Sequence, residues 1–91
     1  MTLTHRVIND RVYQKLIVHR FSLGDVEDPE IYAAGPIWDW QQSEAGQFVM
    51  SSAAEPPTYH QYFDQVHYGY QYAITAWLAD QDATYFCLRW K

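Results

Sequence analysis

Two apolar runs rich in aromatic and β-branched residues, Tyr70–Ala79 and Ala83–Trp90, stand near the C-terminus with only Asp80-Gln81-Asp82 between them. Such runs suit a pleated, half-buried surface, and side chains on a strand alternate between its faces. The even positions Tyr70, Tyr72, Ile74, Ala76 and Leu78, then Thr84, Phe86, Leu88 and Trp90, form the more apolar set. A β-hairpin over residues 68–91 is therefore expected, with the rest of the chain covering it. A two-residue loop would oppose odd positions to even ones and turn one apolar set outward. A three-residue loop at Asp80–Asp82 keeps both sets inside. It pairs Leu78 with Thr84, Ala76 with Phe86, Ile74 with Leu88 and Tyr72 with Trp90. Trp77 then faces Tyr85 on the second face, and Cys87 lies mid-strand as a small packed residue without chemistry.

Upstream, Val12–Phe21 reads as a strand whose two parity classes are both partly apolar, as for a strand covered in part on each side. Asp28-Pro29-Glu30 is a helix start: Asp28 suits the N-cap, Pro29 the first turn, and Glu30 the positive end of the helix dipole. A short helix over Pro29–Ala34 follows, interrupted at Gly35-Pro36. The main helix is expected over Pro36–Ala54, with Trp38, Ala45 and Val49 on one stripe. Gly46 in its middle costs about 1 kcal/mol relative to Ala, which points to a close approach to the sheet or to another chain. Thr58–His67 reads as a loop with an extended piece around Tyr59–Phe63. The fold class is thus α+β. A single domain over residues 1–91 holds a small antiparallel sheet of three or four strands, in β-α-α-β-β order, with helices on one face.

The formal net charge is −5, unevenly distributed. Arg6, Arg11, Lys15 and Arg20 fall within the first twenty residues, whereas residues 21–88 carry ten acidic groups and neither Lys nor Arg. The two termini, with Arg89 and Lys91 added at the end, can supply a small basic patch, but the bulk of such a surface repels phosphate, so nucleic acid is disfavoured as a partner. A basic protein fits the acidic middle better. No apolar run is long enough to span a membrane, the N-terminus lacks a signal-peptide core, and the single cysteine excludes an internal disulfide. A cytoplasmic location is expected.

No sequence signature of catalysis is present: no G-x-S-x-G, P-loop, dinucleotide fingerprint or H-E-x-x-H. His5, His19, His60 and His67 lack zinc-ligand spacing. No catalytic, cofactor or metal residues are assigned. The densest unusual feature is the Tyr/His cluster at 59–72. Its rings close the end of a small core, form a recognition surface, or stack bases, the last weakened by the acidic surroundings. The interaction candidates are Asp39, Glu44, Glu55, Tyr59, His60, Tyr62, His67, Trp77 and Tyr85. A homodimer is expected from the apolar second face carrying Trp77 and Tyr85.

The stretches DVEDPEIYAAGPIWDWQQSEAGQFVM, YGYQYAITAWL and TYFCLRW together resemble a group of small tailed-bacteriophage proteins. The segment W-x-W-Q-x-S-E-x-G is the most specific part. The group has no assigned activity, so no functional residues carry over. The resemblance implies an accessory role in the cytoplasm of an infected bacterial cell. The expected function is a non-enzymatic protein-interaction module. The alternatives are a small enzyme or metabolite-binding domain built on the Tyr/His cluster, and a virion component.

Overall fold

The computed structural model describes residues 5–8 and 10–90. In chain order the elements are β1 (His5–Ile8), β2 (Arg11–Gly24), α1 (Pro29–Gln42), α2 (Glu44–Ser52), β3 (Thr58–Asp64), β4 (Gly69–Ala79) and α3 (Asp80–Trp90). The four strands form one antiparallel sheet in the order β1-β2-β4-β3. The α+β class holds, but the element order is β-β-α-α-β-β-α. Asp10 links β1 to β2 at φ 64°, and Tyr68 precedes β4 at φ 53°.

The expected C-terminal hairpin is replaced by a strand followed directly by a helix. β4 pairs with β2 and β3, and residues 80–90 turn into α3. Helical spacing explains the outcome. Ala83, Phe86 and Trp90 recur at steps of three and four, and Ala83 and Phe86 are buried while Thr84 and Leu88 are exposed. Asp80 and Asp82 in the first turn and Arg89 in the last complement the helix dipole. The triplet 80–82 also lacks the Gly or Asn that a tight hairpin turn favours at positive φ. The register Leu78–Thr84 through Tyr72–Trp90 is therefore overturned, and Cys87 sits half-buried on a helix instead of in a strand.

The helical middle differs in its break point. α1 runs through Gly35-Pro36 and ends at Ser43, which separates it from α2. Pro36 deprives the Tyr32 carbonyl of a donor, and Tyr32 lies on the exposed side of α1. At Ser43 the side chain accepts a hydrogen bond from the Gly46 N–H at 3.0 Å and donates to the Trp40 carbonyl at 2.6 Å. An N-cap of this kind stabilises a helix by about 1 kcal/mol. The break resets the helical phase, so Trp40 is buried and Trp38, expected on the apolar stripe, is exposed. Asp28 occupies the N-cap position of α1 without a side-chain cap hydrogen bond. The close approach at Gly46 is real, but its neighbour is the end of α1: a Cβ there would run into the Trp40 carbonyl.

A single core joins the layers. Val18, Ile74, Ala76 and Leu78 from the sheet meet Trp40, Val49, Ala83 and Phe86 from the three helices. Phe86, Ile74, Leu78 and Val49 are fully enclosed, each contributing about 1.5–3 kcal/mol through burial. Both parity classes of β2 contain apolar residues because the strand carries a bulge. Ile17 pairs with Thr75 and His19 with Ile74, so Val18 is an extra residue. Before the bulge Gln14 and Leu16 share the helix side with Leu78 and Ala76; after it His19 and Phe21 do.

His19 stacks on Trp40 at 6.1 Å and lies 6.0 Å from Phe21. Burial there lowers its pKa below the ordinary histidine value. The unfolded chain therefore takes up this proton at higher pH than the folded chain. Between the two values stability rises with pH and is lost on acidification. Lowering the pH from about 7.5 to about 5.5 is expected to depress the thermal unfolding midpoint more in the native protein than in His19→Phe. Equal depressions would remove His19 from this role.

Candidate functional site

Directly opposed residues of neighbouring strands project to the same side of a sheet. Ile74, Ala76 and Leu78 of β4 turn toward the helices, so Gln71, Ala73, Thr75, Trp77 and Ala79 turn away from them. Their partners on β2 are Ser22, Arg20, Ile17, Lys15 and Tyr13. Tyr13 pairs in turn with Arg6 of β1, and Ile8 with Arg11. On the other flank, Thr58, His60 and Tyr62 of β3 pair with Thr75, Ala73 and Gln71. Arg6, Arg11, Lys15 and Arg20, four of the chain's six Lys and Arg residues, thus share the face away from the helices. Side-chain contacts agree with the register. The Arg6 guanidinium lies 4.4 Å from the Trp77 ring centroid, Gln71 donates to the Ser22 hydroxyl at 3.1 Å, and a His60 ring nitrogen meets the Thr75 hydroxyl at 3.1 Å.

The middle of this face is low and its flanks are tall. Ala73 and Thr75 are only 8% and 6% exposed, although the core-forming helices pack on the opposite side. The larger side chains of Ile17, Arg20 and His60 stand beside them in register. An open depression of about 490 Å³ follows β2 from Lys15 to Arg20 and is lined by residues of both faces of that strand. Among the described residues, Arg11, Lys15 and Arg20 form no ion pair, and Arg6 pairs with Glu55 at 2.8 Å. Asp64, at the end of β3, accepts from the Val66 N–H at 2.9 Å and lies 2.7 Å from a His67 ring nitrogen. That side-chain bond holds its carboxyl below the usual range. Asp25, Glu27, Asp28, Glu30, Asp39, Glu44, Asp80 and Asp82 lie on the helices or the segment entering α1. Eight of the eleven acidic residues thus belong to the helical side, whereas Glu55 pairs with Arg6 and Asp64 ends β3 in the phase of His60 and Tyr62.

The nine sequence-derived candidates do not form one site. Asp39 is exposed on α1. Glu44 accepts from Arg89 at 2.9 Å, which raises the pKa of that guanidinium. Glu55 pairs with Arg6 of β1, so both carboxylates have a cation within the chain. The chain returns after α2 to the edge of the sheet, where the Ala54 N–H donates to the Trp77 carbonyl at 3.0 Å. Such exposed pairs contribute about 0–1 kcal/mol. Tyr59 is on the helix side, accepting from Gln41 at 3.0 Å. His60 and Tyr62 are on the cationic face, and His67 is in the β3–β4 turn. Trp77 is on the cationic face, whereas Tyr85 packs on Phe48 at 5.1 Å and Trp90 at 5.9 Å in the helical layer. The expected Trp77–Tyr85 pair is thereby overturned, because α3 replaces the strand that would have carried Tyr85.

Alternation also divides the Tyr/His cluster. Tyr59, Gln61 and Phe63 share the helix side with Ile74, Tyr72 and Tyr70, while His60 and Tyr62 face away. A second depression, about 410 Å³, is lined by Asp28, Pro29, Glu30, Ile31, Gln61 and Tyr70, without His60 or His67. Among the described residues no three His, Cys, Asp or Glu side chains converge as a metal site would require.

The small basic patch that the sequence allows at the termini did not reveal that Arg6, Arg11, Lys15 and Arg20 line one sheet face with Tyr13. Half of the signal was readable: Arg11, Tyr13 and Lys15 alternate with Val12, Gln14 and Leu16. Arg20 falls out of this alternation, and only the bulge at Val18 returns it to the same face. Among the described residues no helix is long and apolar enough to cross a membrane. No protein-family model, curated protein or solved structure matches the chain.

Proposed function

We propose that this protein is a non-enzymatic binding module that engages an anionic macromolecule through the uncovered face of its sheet. The observation that carries the reading is the register that gathers Arg6, Arg11, Lys15 and Arg20 on one side. A one-signed field of this kind steers an oppositely charged partner onto the face. The setting, taken from the resemblance to tailed-phage proteins, is the cytoplasm of an infected bacterium. A homodimer closed about a two-fold axis through this face would set the same cations against their copies, so the face serves a different partner.

Immobilised heparin, a generic polyanion, tests the reading. A protein of net charge −5 is expected to be retained at low salt and released as salt rises. Lys15→Glu combined with Arg20→Glu is expected to abolish retention, and Asp39→Asn to leave it in place. Flow-through of the native protein at low salt would sink the proposal. A second reading, a basic protein partner on the helical side, is favoured by the exposed carboxylates Glu27, Asp28, Glu30 and Asp39.

A further inference from the structure

We infer that the anionic partner is single-stranded nucleic acid, its phosphates along β2 and its bases laid across β4 onto β3. The inference rests on the proposed binding role of this face and adds the chemistry of the occupant.

Three features of the face select a linear polyanion that carries flat rings. The first is the shape of the charge. From Arg11 to Arg20 the cations of β2 extend over roughly 30 Å of strand, with Arg6 alongside at Tyr13. That is a line and not a pocket, so it matches a repeating backbone charge better than a single anion. The second is the floor. Ala73 and Thr75 keep the central strand low between Gln71 and Trp77, and β3 lies two strand spacings, about 10 Å, from β2. A nucleotide whose phosphate sits on Arg20, level with Ala73 and His60, reaches across that floor with its base. The third is what stands on the far side. Tyr62 is 44% exposed, and His60 is exposed beside it on the same face. Aromatic faces stack bases of any sequence, and a cationic groove beside them tracks the backbone. The guanidinium of Arg6, held over Trp77, offers a further stacking plane near the other end of the line. An acidic peptide would satisfy the cations equally but leaves the exposed ring of Tyr62 without a use. A duplex is too stiff to lay its bases on rings inside the groove.

Fluorescence anisotropy of a labelled oligothymidylate of about twelve nucleotides tests this, with poly-glutamate and a DNA duplex as competitors. Binding is expected to weaken with salt at a log–log slope of about −2 to −3, as three or four single-strand phosphate contacts require. Lys15→Gln with Arg20→Gln is expected to reduce the steepness of that slope by about 1.4. Tyr62→Ala is expected to weaken binding about 5- to 100-fold with the slope unchanged, and Tyr62→Phe to restore it. Circular dichroism of each variant should match the native protein. Poly-glutamate competing as well as the oligothymidylate would assign the face to acidic protein and overturn the inference. Preference for the duplex would do the same, as would a Tyr62→Ala variant that binds like the native protein. Retention on heparin without binding of the oligothymidylate would also overturn it, while leaving the polyanion reading intact. Loss of both would remove the two together.

Discussion

Phe86→Ala is expected to destabilise the protein by about 3–5 kcal/mol, whereas Leu88→Ala, two residues on, should change stability by no more than about 0.5 kcal/mol. Phe86 is 1% exposed and belongs to the core shared by sheet and helices; Leu88 is 82% exposed. In a strand the two would point the same way and cost similar amounts. In α3 they lie nearly opposite each other around the helix. Phe86 also packs against Trp90 at 5.3 Å, so its loss opens a cavity beside a ring that is only partly enclosed. Urea unfolding of the two variants decides between the arrangements. Similar losses for both would restore the hairpin and remove α3.

Gly46→Ala is expected to lower stability, where helix propensity alone would raise it by about 1 kcal/mol. Gly46 lies in the first turn of α2, buried against the end of α1. A Cβ would meet the Trp40 carbonyl oxygen, with the Trp40 carbonyl carbon 2.7 Å and the Gln41 Cα 3.0 Å away. These are backbone atoms, and no side chain can swing aside to relieve them. Relief requires α2 to move off α1, which would also disturb the Ser43 cap and the packing of Trp40 and Val49. Overpacking of this kind costs about 1–3 kcal/mol. The measurement is the unfolding midpoint of Gly46→Ala against the native protein. A rise would mean that the α1–α2 corner is open.

The elements that were legible in the sequence are those whose pattern has a single period. Tyr70–Ala79 is a continuous apolar run flanked by Gly69 and Asp80, and β4 spans Gly69–Ala79. The helix start at Pro29 was legible because proline and acid sit where the first turn tolerates or favours them. Ala83–Trp90 misled because its aromatic composition suits a strand while its burial follows steps of three and four. In so short a segment the two periods share several positions. The break at Ser43 was hidden because Gly-Pro nearby is the stronger sequence signal, although a serine cap and its Gly46 partner decide the geometry. The cationic face was hidden for a different reason. Its charge was visible in the first twenty residues, but its direction depends on pairing across strands and on one extra residue.

That extra residue makes β2 two blocks of alternation joined at a seam. Tyr13–Ile17 and His19–Ser22 each keep strict phase with β4, and Val18 belongs to neither. In terms of chain length, the seam is the one point within these blocks where a residue can be removed without exchanging the two sides. Deleting Val18 would let His19 follow Ile17 in regular alternation, with Arg20 still outward and Phe21 still inward. Deleting Leu16 would require the bulge to move or one block to turn over, burying charge or exposing the core. Phase therefore survives a change of length at this seam, as it does where the register shifts again at Leu23, although removing Val18 also takes a side chain out of the core. A chain one residue shorter here would have a straighter strand, since a bulge bends and twists the strand that carries it.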